Sequence, residues 1–158
     1  MPVLERIENF LDDLRVPFAR SAHAPAFTAR EVAEAENVSS RKIAKTVVLV
    51  ADGAFVMAVL PADSIVDIQE LRRALGATHL RLATEVEIGQ LFPDCELGAM
   101  PPFGNLYGLP VYAEVSLAQQ HTIAFNAGTH RDVVYMNFSD FRRAVNPVML
   151  PFARRVAA

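Results

Sequence analysis

Two runs rich in β-branched and apolar residues, 43–50 and 55–60, flank Asp52-Gly53 and constrain the fold more than any other feature of the chain. Asp-Gly accepts the positive φ angles of a type I′ turn, so the segment reads as an antiparallel hairpin. Helical signals surround the hairpin. Val3, Leu4, Ile7, Phe10, Leu11 and Leu14 recur at helical spacing with Glu5, Glu8, Asp12 and Asp13 between them, which predicts an amphipathic helix ending before Pro17. Thr28 with Glu31, Asp67 with Glu70, and Thr84 with Glu87 have capping spacing and predict helices over 29–36, 68–75 and 85–91. His23-Ala24-Pro25-Ala26-Phe27 falls between helices as a loop.

Short strands are expected at 79–82, 111–113, 122–126 and 133–137, and Ser139 is positioned to cap a final helix through Val145, halted by Asn146-Pro147. Helices and strands interleave, yet the hairpin implies a mixed sheet rather than a doubly wound parallel one. The expectation is an α+β fold. With 158 residues and no internal repeat or linker, one domain over 1–158 is expected.

Composition narrows the functional classes. Apolar residues make up 52% of the chain and charged ones 21%, far from the balance of a disordered segment. The net charge of −3 argues against broad binding to nucleic-acid backbone, DNA included, while leaving room for a small contact with one RNA end. Arg41, Lys42 and Arg131 are the candidates for that contact by position. The lone Cys95 allows no internal disulfide, and the start shows neither a secretory nor a transit pattern, so a cytoplasmic protein without membrane attachment is expected. Asp94 and Glu96 flank Cys95, and their charge disfavours a thiolate.

HExxH, G-x-S-x-G, P-loop and G-x-G-x-x-G patterns are missing, and the histidines at 23, 79, 121 and 130 lack ligand spacing. Neither a metal nor a cofactor is expected. Three features carry chemical interest. Strand alternation sets Lys45 on one face with Ile43, Val47 and Leu49, where its stem can pack while the ammonium reaches water, or where the ammonium can face a pocket and polarise an ester or hold a phosphate. The stretch Gly98-Ala99-Met100-Pro101-Pro102-Phe103-Gly104 is an ordered loop that either serves as a plain turn or aims its backbone at a substrate. Ala127-Gly128-Thr129-His130 forms a second turn, where His130 either caps the turn or contacts a ligand.

The order of these features resembles the YbaK and prolyl-tRNA-synthetase-associated family of trans-editing deacylases over nearly the whole chain. The matching residues are His23-x-Pro25 before Thr28, Lys45-Thr46-Val47-Val48-Leu49-Val50, the Gly98 to Gly104 stretch, Gly108-x-Pro110-Val111 and Ala127-Gly128. The resemblance implies a curved mixed sheet flanked by helices, with a pocket between the lysine strand and the proline loop. It implies that Lys45 is the catalytic lysine, as anchor or as base. Thr46, Gly98, Ala99, Met100, Pro101, Pro102, Phe103, Gly104, Gly128 and His130 are then expected to bind substrate.

The implied reaction is hydrolysis of the ester joining a wrong small amino acid to the terminal adenosine of tRNA, with water assisted by the substrate's own ribose hydroxyl. The expected partners are the acceptor end of mischarged tRNA and an aminoacyl-tRNA synthetase. A noncatalytic tRNA- or synthetase-binding module with the same pocket is the alternative. Met100-Pro101-Pro102-Phe103-Gly104 departs from the Ser-Pro-Ile-Gly form of the cysteinyl-editing subgroup, and Thr46 replaces the asparagine of some alanyl-editing relatives.

Overall fold

The structure is a computed structural model that describes residues 2–156. In chain order the elements are α1 (Val3–Asp13), β1 (Ala19–Ala22), α2 (Ala29–Glu36), β2 (Ala44–Ala51), β3 (Ala54–Pro61), β4 (Ser64–Val66), α3 (Ile68–Leu75), β5 (Leu80–Leu82) and α4 (Glu85–Leu91). They continue with β6 (Val111–Glu114), β7 (Thr122–Asn126), β8 (Asp132–Asn137), α5 (Phe138–Val145), β9 (Val148–Leu150) and β10 (Ala153–Arg155), and two short 3-10 turns flank β6.

The hairpin is the centre of the fold. β2 and β3 pair antiparallel in full register from Ala44↔Pro61 to Ala51↔Ala54, and Asp52 (φ +47°) and Gly53 (φ +84°) close the turn as its sequence requires. Asp52 also accepts the backbone N–H groups of Thr78 and His79, which hold its carboxyl below the usual range and tie the hairpin tip to β5. The five-stranded sheet runs β5-β2-β3-β6-β9, antiparallel on the hairpin side and parallel across β3, β6 and β9. A second, antiparallel sheet runs β1-β8-β7, and β10 pairs with β4. A parallel bridge from Ile43 to Ala124 joins the two larger sheets just before β2 begins. This is the mixed α+β single domain expected from the interleaved pattern.

Each face of β2 serves a different core. Ala44 and Val48 turn toward the cluster built on Val3, Ile7 and Leu11 of α1, while Leu49, with Val47 beside it, packs with Leu71 of α3 and Phe152. Three of the predicted helices begin at the predicted caps: Thr28 accepts from Glu31, Asp67 from Glu70, and Thr84 with Glu87 forms a reciprocal capping box. The expectation for Ser139 fails. The last helix starts two residues earlier, directly after β8, with Asn137 at its N-cap and no side-chain cap. Its first turn is anchored instead by buried Phe138 and Phe141, so packing replaces the cap.

Candidate active site

At the start of β2 the backbone leaves Lys45 half-buried at the mouth of two adjoining hollows. The smaller, about 120 Å³, is lined by Ala29, Ala44, Lys45, Thr46, Gly98, Met100 and Asn126. The larger, about 300 Å³, is lined by Thr28, Ala29, Arg30, Lys45, Ala62, Asp63, Ser64, Ile65 and Val156. The strand opening, the N-terminus of α2 and the proline loop therefore meet at one place. Burial, then the nearby Arg30 charge, push the Lys45 ammonium pKa down, and Asp63 opposes them. Lys45 has no carboxylate partner among the described residues' ion pairs, so its charge is left facing the hollows.

Opposite Lys45 the loop is locked to the second turn. Glu96 N–H donates to Gly128 O at 2.8 Å, Gly128 N–H to Ala99 O at 2.9 Å, and His130 N–H to the Glu96 carboxylate at 2.6 Å. Gly98 (φ +87°) and Gly128 (φ +94°) supply the left-handed backbone this junction needs. A Cβ on Gly128 would sit 2.5 Å from Val3 Cβ, so α1 also braces the turn. Thr129 completes the bracing by accepting from Arg131 and Asp132 N–H while donating to the Asp132 carboxylate.

The expected site residues divide into those that reach the hollow and those that support it. Lys45, Thr46, Gly98 and Met100 line the smaller hollow. Ala99 and Gly128 are buried behind it in the loop junction, and His130 packs next to Gly98 with its ring 4.9 Å from Phe27. Pro101, Pro102, Phe103 and Gly104 are buried and line neither hollow. Phe103 belongs to the core, edge-on to Phe10, Phe125 and Phe141.

Asn126, the last residue of β7, was not visible as a site residue from sequence; its one signal is a polar residue closing the apolar run Ile123-Ala124-Phe125 before the glycine turn. Among the described residues four side-chain atoms are buried without a hydrogen-bond partner: Thr46 Oγ1, Asn126 Oδ1, His23 Nε2 and His130 Nδ1. Thr46 and Asn126 line the smaller hollow, and the other two lie on segments joined beside it, with His23 N–H donating to Arg131 O and Ala26 N–H to His130 O. An unsatisfied buried polar atom costs about 1–3 kcal/mol, so each of these atoms calls for a polar partner from outside the chain, water or ligand.

Cys95 takes no part in this arrangement. Its thiol is pushed up to about 11, chiefly by burial, with the Tyr107 hydroxyl opposing and Asp94 adding to the rise. Of its two acidic neighbours, Glu96 is turned to His130. Among the described residues no group of three or more His, Cys, Asp or Glu could hold a metal ion, and no helix is long and apolar enough to cross a membrane.

Arg41, Lys42 and Arg131 stand in different local settings. Arg41 pairs with Asp63 beside the larger hollow, Lys42 accepts Ala124 N–H through its carbonyl at the sheet junction, and exposed Arg131 lies in the glycine turn.

Known proteins are similar to this chain in sequence and in fold. The chain is 33% identical over 100 residues to the multifunctional Ser/Thr-tRNA deacylase ProXp-y of Escherichia coli (strain K12), an alignment spanning 63% of this chain and 59% of that protein. It is 29% identical over 133 residues to a proline–tRNA ligase of Pseudothermotoga lettingae, covering 84% of this chain and 21% of the ligase. In fold it superposes on the crystal structure of a candidate trans-editing enzyme for prolyl tRNA synthetase with a TM-score of 0.82 at 21% identity, covering 98% of each chain. It superposes on hypothetical protein APE2540 with a TM-score of 0.86 at 18% identity, covering 94% of this chain and 99% of that one. Residues 23–144, which carry the lysine strand, the proline loop and the glycine turn, match the aminoacyl-tRNA editing domain, and the chain belongs to that family.

Proposed function

We propose that this protein is an aminoacyl-tRNA deacylase that hydrolyses the ester of a small hydroxylated amino acid, serine or threonine, on a wrong tRNA. The observation that carries the reading is the small hollow, lined by Lys45 together with Thr46 and Asn126, whose side-chain oxygens are buried without a hydrogen-bond partner. An acyl group bearing a hydroxyl supplies the partner those oxygens lack, and one bearing only a methyl does not. The 33% identity to a Ser/Thr-tRNA deacylase supports the same class of acyl group.

In this reading the ammonium of Lys45 anchors the substrate and stabilises negative charge developing on the ester carbonyl oxygen. Gly98 lets the ester approach the loop backbone, and the junction with Gly128 keeps that backbone fixed. The attacking water bonds to the carbonyl carbon, the ester C–O bond breaks, and the terminal ribose hydroxyl is regenerated with a proton. Met100 closes the apolar side of the hollow. The noncatalytic alternative uses the pocket for binding alone. We place the activity in the cytoplasm, where tRNA is charged, and the similarity to part of a proline–tRNA ligase supports work alongside a synthetase.

Single-turnover deacylation of tRNAs carrying serine, threonine, alanine or cysteine tests the reading. Serine and threonine esters should be hydrolysed at least about tenfold faster than the alanine ester, since a site built to bond a hydroxyl discriminates strongly against its absence. Binding of all four tRNAs without hydrolysis would leave the noncatalytic module as the correct account.

A further inference from the structure

Beyond the Lys45 hollows the same surface continues into a third, about 640 Å³, whose lining includes Arg30, Glu34, Asn37, Ser40, Asp63 and Arg155. It shares Arg30, Asp63 and Val156 with the hollow of about 300 Å³, which in turn shares Ala29 and Lys45 with the smallest, so the three form one path. Asp63 is the fixed point of its far end. Buried at 7% exposure, it accepts Arg41 Nη1 at 2.6 Å, Arg155 Nε at 3.1 Å and Ser64 Oγ at 3.1 Å.

One carboxylate therefore orients two arginines, and Arg155, with only its Nε engaged and its side chain 73% exposed, keeps its terminal nitrogens for another partner. Arg30 donates to the Val156 carbonyl at 3.2 Å and has no carboxylate partner among the described ion pairs. Two guanidinium groups, those of Arg30 and Arg155, thus line the path with Lys45 beyond, where Asp63 and Glu34 carry the opposite charge and Arg41 offsets Asp63 from behind. Like charges gathered in this way call for an anion.

We propose that Arg30 and Arg155, the latter oriented by Asp63, hold the phosphates of the single-stranded 3′ nucleotides next to the esterified adenosine. This rests on the deacylase reading above, which puts the ester in the smallest hollow. A bare phosphate site would gain nothing from Glu34, whereas a nucleotide track does: a carboxylate accepts from the amino group of cytosine, and Asn37 and Ser40 add further base-edge partners. Contact confined to this path reconciles RNA binding with a net charge of −3, because only the acceptor end needs contact. Arg155 lies outside residues 23–144, so this wall of the path is supplied by the C-terminal strand rather than by the part matching the editing family.

The test is binding of a labelled, uncharged RNA hairpin with a single-stranded 3′ CCA end, measured by anisotropy over a range of salt, beside the same hairpin made blunt. Arg30→Gln and Arg155→Gln should each weaken binding of the overhang hairpin severalfold and flatten its log–log salt dependence by about 0.7, the value for one lost single-strand phosphate contact. Blunt-hairpin binding should not change, and Arg143→Gln, on the surface of α5, should behave as wild type. Should Arg155→Gln unfold through loss of its bond to Asp63, Arg30→Gln decides alone. Unchanged affinity and salt slope in a folded Arg30→Gln variant, or equal losses on both hairpins, would overturn the proposal. Because the RNA is uncharged, this result is separable from turnover: intact arginine-dependent binding without hydrolysis of any mischarged tRNA would defeat the deacylase reading alone.

Discussion

The two ends of the proline loop use glycine for opposite reasons. Gly98 is exposed, has φ +87°, and lines the hollow facing Lys45. Gly104 is buried, where a Cβ would lie 2.5 Å from Val111 Cγ2 and 2.8 Å from the Leu109 carbonyl. The first glycine is required by backbone conformation and access, the second by packing. Between them the chain passes from site to core within seven residues, and Phe103 marks the crossing. A loop of this kind couples rigidity to chemistry, because the end that packs in the core determines where the other end stands.

Separating the two ends by substitution sharpens that contrast. Phe103→Ala should have the largest effect, costing about 3–5 kcal/mol in urea unfolding because it empties the contact with Phe10, Phe125 and Phe141. Deacylation per folded molecule should stay near wild type. Loss of activity without loss of stability would mean that Phe103 reaches the substrate.

Gly98→Ala should show the reverse, with deacylation falling on the order of a hundredfold, as when a reacting group is displaced by about 1 Å. Its stability should fall by only about 1–2 kcal/mol for the left-handed backbone, since the added Cβ meets nothing closer than His130 Cε1 at 3.5 Å. Gly104→Ala should lose about 1–3 kcal/mol by overpacking and keep its activity once folded. If Gly98→Ala and Gly104→Ala lose stability and activity in the same ratio, the division of the loop is wrong.

The same contrast governs what could be read from sequence. The helices over 29–36, 68–75 and 85–91 were legible because a cap is a hydrogen bond between residues three apart, and the hairpin because Asp52-Gly53 defines its own turn. β1, β4, β9 and β10 were not. Each has three or four residues, too few to display a period, and their partners lie far away in sequence, as Ala22 does from Asp132 or Arg155 from Ser64. Of the residues singled out from strand alternation, loop composition and the resemblance, Lys45, Thr46, Gly98 and Met100 line the smaller hollow whereas Phe103 packs in the core, because a motif does not tell which way a side chain turns. Asn126, Arg30 and Asp63 become visible only when β7, α2 and the segment after β3 are brought together.

Lys45→Ala tests the central claim most directly, by single-turnover deacylation and urea unfolding on the same preparation. If the ammonium stabilises charge at the ester, the rate should fall about a hundredfold, equivalent to about 3 kcal/mol of transition-state stabilisation. Stability should hold or rise, because a desolvated charge facing Arg30 has been removed. Lys45→Arg should restore only part of the rate, since the planar guanidinium cannot place a compact charge at the same point. A folded alanine variant that deacylates its substrate at close to the wild-type rate would contradict the account.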